Sequence, residues 1–345
     1  MMTPILDFEL PTRLEASVPP EEQGVPRDQV RLMVGNRSSG EIVDDVFASL
    51  PSYLRSGDAL VINISATIPA AVPARTADGL ELLVHLSTML EEGLWTVEVR
   101  RPSGHGSLPG PDLDPQRLIL AGGGELTLLS HPDHSQRIWL ARLRVPGDVH
   151  AYLSENGRPI RYRYAAAPWG LDAYQTVYAS EPGSVEMPSA GRPFTTDLLA
   201  RLVAIGVVVV PVVLHAGVAS LELDEKPAPE RMRVPVATAS AVNALRAEGG
   251  RVIAVGTTVT RALESAAAVD GTVDAAEGLT DIVIGPHRPI RVVDGLITGW
   301  HEPKASHLEL VEAVAGSSLA TRMYQRALAT GYLWHEFGDS CLILP

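Results

Sequence analysis

The pattern of apolar and turn residues is clearest in residues 251–267. The run Val252–Val255 is apolar and rich in β-branched residues, which predicts a strand buried on both faces. Gly256 permits a tight turn, and Thr257 and Thr258 predict the cap of a following helix. Such a strand-to-helix turn presents free N–H groups at the carboxyl edge of a sheet, where open α/β sheets bind ligands. An ordinary turn capped by threonine explains the same residues.

Similar strand and helix segments lie before and after residues 69–146. ALVIN at residues 59–63 predicts a buried strand, and VVVVPVVLHAG at residues 207–217 predicts a strand that ends at His215 and Gly217. Asn63 ends the first of these strands, where it either displays a ligand group or caps a loop. Strands that alternate with helices predict an α/β domain with a mostly parallel sheet.

Residues 69–146 have a different pattern, with short strand-like runs between turns rich in Gly, Pro and Asp. None of these runs has the 3.6-residue period of a helix, so we expect an antiparallel β-barrel. Because α/β segments flank it, the barrel is predicted to be an inserted domain at 69–146, within a discontinuous α/β domain at 1–68 and 147–345. Its histidines lack carboxylate or cysteine partners at ligand spacing, so we expect surface residues rather than metal ligands. They are His85, His105, His131 and His134.

Composition and charge exclude several classes of protein. The 345 residues, 46% of them hydrophobic, are enough for two cores. The net charge of −13 disfavours non-specific attraction to nucleic acid. Cys341 is the only cysteine, which excludes internal disulfides and a cysteine-cluster metal site. The longest apolar run, residues 205–214, is too short to cross a bilayer, and no signal peptide is recognisable, so we expect a cytoplasmic protein without membrane contact.

Motifs occur in order along nearly the whole chain. They are DFELP at 7–11, GDALVIN at 57–63, IPA at 68–70, YQTVYA at 174–179, EPGSVEMPSAG at 181–191, LHAG at 214–217, GGRVIAVGTTVTRALESAA at 249–267, VVDGLITGWHEPK at 292–304 and FGDSCLIL at 337–344. Together they resemble the S-adenosylmethionine:tRNA ribosyltransferase-isomerase family of queuosine biosynthesis. The resemblance implies an α/β domain with an inserted β-barrel. It also implies that S-adenosylmethionine is a substrate, whose ribosyl moiety is transferred to 7-aminomethyl-7-deazaguanine in tRNA and isomerised, while adenine and methionine leave.

The resemblance also implies the site residues. A sulfonium donor requires a site for its cation, a base for the 5′ proton and an acid for the departing purine. The candidate catalytic residues are Glu230, His215, His301 and Glu264. The candidate S-adenosylmethionine-binding residues are Asn63, Pro188, Ser189, Ala190, Gly191, Gly217, Thr257, Thr258, Arg261 and Asp339. In particular, we expect the loop at 188–191 to hold the methionine carboxylate on free N–H groups, or to be only a turn. No metal or prosthetic group is expected, and the structural alternative for Glu264 is a surface pair with Arg261.

The chain departs from the family pattern at polar positions. Two arginines of the family are Ala66 and Ala71 here, a histidine is Pro193, and the segments TGWHEP at 298–303 and YLWHEFGDS at 332–340 are altered. Three hypotheses therefore stay open: the family reaction on tRNA, a paralogue that uses S-adenosylmethionine with a small-molecule acceptor in specialised metabolism, and a non-catalytic S-adenosylmethionine-binding homologue. We expect a monomer whose partners are S-adenosylmethionine and either tRNA or a small acceptor.

Overall fold

The computed structural model describes residues 7–104, 106–132, 135–161, 167–218, 228–285, 287–303 and 305–345. The strands are β1 (Arg31–Asn36), β2 (Ile42–Val46), β3 (Ala59–Asn63), β4 (Ser65–Thr67), β5 (Ala71–Arg75), β6 (Glu81–Glu91), β7 (Leu94–Ser103), β8 (Gly106–Pro109), β9 (Arg117–Leu120), β10 (Glu125–Ser130), β11 (Ile138–Arg144), β12 (Glu181–Ser184), β13 (Val208–Leu214), β14 (Glu230–Val234), β15 (Val252–Val255), β16 (Ala276–Thr280), β17 (Gly295–Gly299) and β18 (Ser340–Leu344). The α-helices are α1 (Val149–Asn156), α2 (Thr196–Ala204), α3 (Val236–Ala247), α4 (Thr257–Ser265), α5 (His307–Ala315) and α6 (Ser317–Thr330).

The larger sheet has the strand order β16-β14-β13-β3-β15-β17-β18-β1-β2. Its central strands β13, β3, β15 and β17 are parallel neighbours. On either side the direction reverses, since β14 runs antiparallel to β13 and β18 runs antiparallel to β17. The sheet is therefore mixed, and the predicted parallel arrangement is found at its centre.

Both faces of this centre are covered, as the apolar runs predict. Every residue of β3 and β15 is buried. Val61 packs into the core on one face of the sheet, while Leu60 and Ile62 pack into the core on the other face. Burying each such side chain contributes roughly 1.5–3 kcal/mol, so the two cores stabilise the strands whose ends carry the site.

The second large sheet closes into a barrel. Its strand order is β11-β10-β9-β5-β6-β7-β8, and a further ladder joins β11 to β7. The ladders around the closed part are antiparallel, which confirms the predicted barrel. Its strands lie within residues 69–146, although the domain boundaries themselves stay a prediction. Helix α1 follows the last strand and adds Tyr152 and Leu153 to the barrel core.

A buried ionic cluster lies inside the barrel, where the sequence predicted a surface histidine. His85 is fully buried, with Nδ1 3.7 Å from a carboxylate oxygen of Glu98. Glu98 also pairs with Arg100 at 2.5 Å and with Arg137 at 2.9 Å. The prediction for His85 was wrong because alternate residues of a strand face opposite sides, and closure made its side the interior.

His131 lies on the barrel, where its Nδ1 is 2.8 Å from the carbonyl oxygen of Ile138. His105 and His134 fall outside the described residues. No helix in the described part of the chain is long and apolar enough to cross a membrane.

Candidate active site

A cavity of about 990 Å³ lies where the carboxyl ends of the central strands meet the barrel. The α/β side contributes residues that follow β13, β15 and β17, together with the loop at 188–190. The barrel side contributes Arg100 and Ser107, from β7 and β8. Ligands of open α/β sheets bind at this edge, and the predicted motif segments converge on it.

The turn between β15 and α4 forms one wall of this cavity. Gly256 has φ +94°, a conformation that favours glycine, and a Cβ there would lie 3.3 Å from Cβ of Ala190. Helix α4 begins at Thr257, and Gly256 rather than a threonine occupies the N-cap position, without a side-chain cap. The predicted threonine cap is therefore wrong, and both Thr257 and Thr258 line the cavity.

Gly217, Glu230 and Arg261, which are distant in sequence, meet at a second wall. Nη1 of Arg261 donates to Oε2 of Glu230, and the N–H of Gly217 donates to Oε1 of the same carboxylate at 2.8 Å. Nε of Arg261 donates to the carbonyl oxygen of Ile282 at 3.3 Å. Both oxygens of Glu230 are engaged, so this carboxylate holds Arg261 and the Gly217 backbone in place.

His301 lies at the carboxyl end of β17 and also lines the cavity. Its Nε2 is 2.9 Å from Oγ1 of Thr298, and its ring stacks on His307 with centroids 4.8 Å apart and planes 8° apart. Loss of water contact, followed by the charge of His307, lowers the pKa of His301 well below its usual value. Loss of water contact also lowers the pKa of His307 to about 4. Both imidazoles are therefore neutral near pH 7.

Acidic residues surround His335 on a third wall, formed by Glu15, Glu302 and Glu336. Nδ1 of His335 lies 3.4 Å from a carboxylate oxygen of Glu302, and Nε2 lies 3.9 Å from one of Glu15. The backbone of His335 has φ +73°, which is strained for a residue with a side chain. Partial burial, then the charges of Glu336 and Glu15, raise the pKa of Glu302 although its side chain is half-exposed.

Sequence reasoning did not assign the carboxylates of this third wall, Glu15, Glu302 and Glu336, to the site, nor Arg100 on the barrel. The available signal was that Glu302, His335 and Glu336 occupy the segments that depart from the family pattern. Nothing in the sequence indicated that Arg100 lines the site. Which face of a strand points toward the interior is decided only when the barrel closes.

Glu264 lies outside the cavity, contrary to expectation. Its side chain is almost fully buried and accepts three backbone N–H groups, from Arg291 at 3.0 Å, Val292 at 2.9 Å and Val293 at 3.1 Å. The alternative of a surface pair with Arg261 is also wrong, because Arg261 turns to Glu230. Glu264 therefore anchors the loop that precedes β17.

Asp339 has a similar structural position. Its carboxylate accepts the N–H groups of Arg31 and Leu333, both at 2.8 Å. The donors are backbone groups of β1 and of the loop before β18, and Asp339 is not among the residues that line the cavity. Among the described residues no group of three or more His, Cys, Asp or Glu side chains is arranged to hold a metal ion.

Asn63, Gly191 and His215 lie behind the cavity wall. The amide of Asn63 exchanges hydrogen bonds with the backbone of Leu214 and donates to Oγ1 of Thr258 at 3.3 Å, so it ties β3 to β13 and to α4. His215 is 2.7 Å from Oγ of Ser65, and burial lowers its pKa. A Cβ at Gly191 would clash with the hydroxyl of Tyr178. Pro188, Ser189 and Ala190 do line the cavity.

Comparisons with known proteins agree with this arrangement. The family model described as "Queuosine biosynthesis protein" matches residues 4–343. The chain is 37% identical over 362 residues to the S-adenosylmethionine:tRNA ribosyltransferase-isomerase of Symbiobacterium thermophilum, with 98% of each sequence covered. It is 38% identical over 342 residues to the protein of the same name from Thermus thermophilus, with 95% of this chain and 97% of that one covered.

A crystal structure of S-adenosylmethionine tRNA ribosyltransferase from Thermotoga maritima is also similar. It superposes with a TM-score of 0.56 at 29% identity and covers 99% of this chain and 100% of its own. The match therefore includes both the mixed sheet and the barrel that together enclose the cavity. Given the family match over nearly its whole length, the chain belongs to the queuosine biosynthesis protein family.

Proposed function

We propose that this chain is an S-adenosylmethionine:tRNA ribosyltransferase-isomerase. It uses S-adenosylmethionine as a substrate and places the isomerised ribosyl moiety on 7-aminomethyl-7-deazaguanine in tRNA, with adenine and methionine as the other products. Full-length relatives carry this name. In this proposal the chain is a cytoplasmic monomer that needs no prosthetic group.

The charge of the cavity is the observation that carries the proposal. Among the described residues, its lining has seven carboxyl groups against two guanidinium groups, Arg100 and Arg261. A cavity with this excess of negative charge suits a cationic donor, because a sulfonium is attracted to carboxylates and to aromatic faces such as that of Trp300. The carboxyl groups belong to Asp7, Glu9, Glu15, Glu186, Glu230, Glu302 and Glu336.

The positions of the side chains suggest how the reaction is divided among them. A sulfonium acidifies the neighbouring 5′ carbon, and the neutral His301 is free to accept a proton there or to hydrogen-bond the departing purine. Glu302, with its raised pKa, is the second candidate for proton transfer. Glu230 acts through Arg261 and Gly217, and His215 acts as a positioning residue. Glu264 and Asp339 hold backbone segments outside the cavity and stabilise the fold.

A small-molecule acceptor is the second candidate function, and one observation favours it. The departures Glu302, His335 and Glu336 come together on a single wall of the cavity. Ala71 is buried and paired with β6, and Ala66 carries no charge, so neither offers a cation to a phosphate. An acceptor without phosphates needs no such cations.

Incubating the chain with S-adenosylmethionine, with and without tRNA that carries 7-aminomethyl-7-deazaguanine, tests the proposal. Release of adenine and methionine that depends on tRNA supports it, together with a mass increase of the tRNA base. Release that is unaffected by tRNA refutes the tRNA acceptor, and donor binding without release indicates the non-catalytic homologue. His301→Ala should lower turnover, whereas His287→Ala, on the exposed surface, is the matched control.

A further inference from the structure

The first turn of α4 faces the cavity with backbone donors that have no acceptor among the described residues. The earliest hydrogen bond of the helix runs from the N–H of Thr260 to the carbonyl oxygen of Gly256 at 3.2 Å. The N–H groups of Thr257 and Thr258 precede it, have no acceptor within the helix, and belong to residues that line the cavity. Together with the helix dipole they favour a negatively charged group at this end.

Arg261 lines the same cavity and supplies a second and independent donor. Side chains of an α-helix lean toward its N-terminus, so Arg261 leans over the turn that contains Thr257. The side chain is 10% exposed, and Nη1 and Nε are bonded to Glu230 and to the Ile282 carbonyl. Nη2 is buried and has no hydrogen-bond partner among the described residues. Leaving a buried guanidinium donor without a hydrogen bond costs free energy. The unpaired Nη2 therefore indicates that a bound ligand supplies its acceptor.

The loop at 188–191, which the sequence predicted for the methionine carboxylate, is less suited to this role. It forms a tight turn in which the N–H of Gly191 donates to Pro188 at 3.1 Å and the N–H of Arg192 donates to Ser189 at 2.9 Å. Within residues 188–191, Pro188 has no N–H and that of Gly191 is used inside the turn, so the loop offers a ligand at most the N–H groups of Ser189 and Ala190. The loop packs against Gly256 and so borders the α4 site instead.

We infer that the first turn of α4 and Nη2 of Arg261 bind the α-carboxylate of the amino-acid part of the donor. The inference rests on the proposed donor, S-adenosylmethionine. Because Nη1 is bonded to Glu230 and Nε to the Ile282 carbonyl, Nη2 is the guanidinium nitrogen that remains to donate to the ligand carboxylate. The donor is then held by its carboxylate at α4, and its sulfonium and ammonium groups face the remaining carboxylates of the cavity.

Calorimetry with two donors tests this assignment: S-adenosylmethionine and its decarboxylated analogue, which keeps the sulfonium and the amine. Each is titrated into the wild-type chain, Arg261→Gln and Arg261→Lys. The wild type should prefer the donor with the carboxylate by on the order of 10- to 100-fold, and Arg261→Gln should reduce that preference by about tenfold. Arg261→Lys keeps a charge beside Glu230 but lacks the planar fork, so its preference should be intermediate.

Arg246→Gln is the matched control, because among the described residues Arg246 donates to the backbone carbonyls of Gly271 and Arg291 and does not line the cavity. It should keep the wild-type preference. Comparing the ratio of the two affinities between variants cancels the general attraction of the acidic lining for the more positive analogue. A wild type that binds both donors equally overturns the inference while leaving the proposed donor intact. An unchanged preference in folded Arg261→Gln also overturns it, and a wild type that binds neither donor refutes the proposed donor as well.

Discussion

Replacing Glu264 with glutamine separates a structural carboxylate from a catalytic one. In the structure Oε1 of Glu264 accepts two backbone N–H groups and Oε2 accepts a third. Glutamine has one oxygen, so its NH₂ group must face one of these donors, and the remaining bonds lose their charge assistance. Losing a hydrogen bond to a charged group costs about 1.5–3 kcal/mol. With the weaker remaining bonds, we expect Glu264→Gln to lower the free energy of unfolding by about 2–4 kcal/mol.

Urea unfolding and donor calorimetry on the same preparation give the two required quantities. Glu264→Gln should unfold at a lower urea concentration and still bind S-adenosylmethionine with wild-type affinity. Glu248→Gln, at an exposed position after α3, is the control and should change stability by less than about 0.5 kcal/mol. Wild-type stability combined with a tenfold loss of donor affinity would show that Glu264 serves the ligand and that our interpretation is wrong.

Three further outcomes are expected. Saturating S-adenosylmethionine should raise the melting temperature, because a hundredfold excess over Kd contributes about 2.7 kcal/mol; the absence of a shift at millimolar ligand would contradict the proposed donor. tRNA should bind weakly, since the cationic positions of the family are Ala66 and Ala71 here, and the affinity that remains should fall steeply as salt rises; submicromolar binding that resists salt would refute this. Glu98 has its pKa lowered to about 2, against burial, by His85 and its two arginines, compared with 4.5 for a free side chain. Its contribution to stability is therefore present above pH 4.5 and is lost as pH falls toward 2, and Glu98→Gln should flatten the acid limb of the unfolding free energy measured against pH.

Features that depend on residues close together in the sequence were predictable. Strand β15 and helix α4 follow from the contiguous run at 252–267, and the short strands of 69–146 correctly indicated the barrel. The parallel centre of the sheet follows in the same way from the alternation of strands and helices along the chain. These segments place Thr257, Thr258 and His301 at the cavity because the ends of parallel strands meet at one edge.

Features that depend on distant segments were not predictable. Helical spacing places Glu264 on α4 but does not show that residues 291–293 wrap around its carboxylate. The same spacing favoured a pair between Glu264 and Arg261, whereas Glu230, brought in by β14, took the guanidinium instead. For His85, alternation defines two faces of a strand, and only closure of β11 on β7 decides which one is inside.

The position of β18 between β17 and β1 affects how the chain folds while it is being synthesised. Residues 31–36 are synthesised early, yet their inner neighbour in the sheet comes from residues 340–344. The barrel, by contrast, is complete once residue 144 has left the ribosome. During translation β1 therefore keeps an open strand edge long after the barrel is able to fold, and such edges are the sites where incomplete chains associate. The duration of this exposure is governed by the rate of elongation rather than by the intrinsic folding rate of either core.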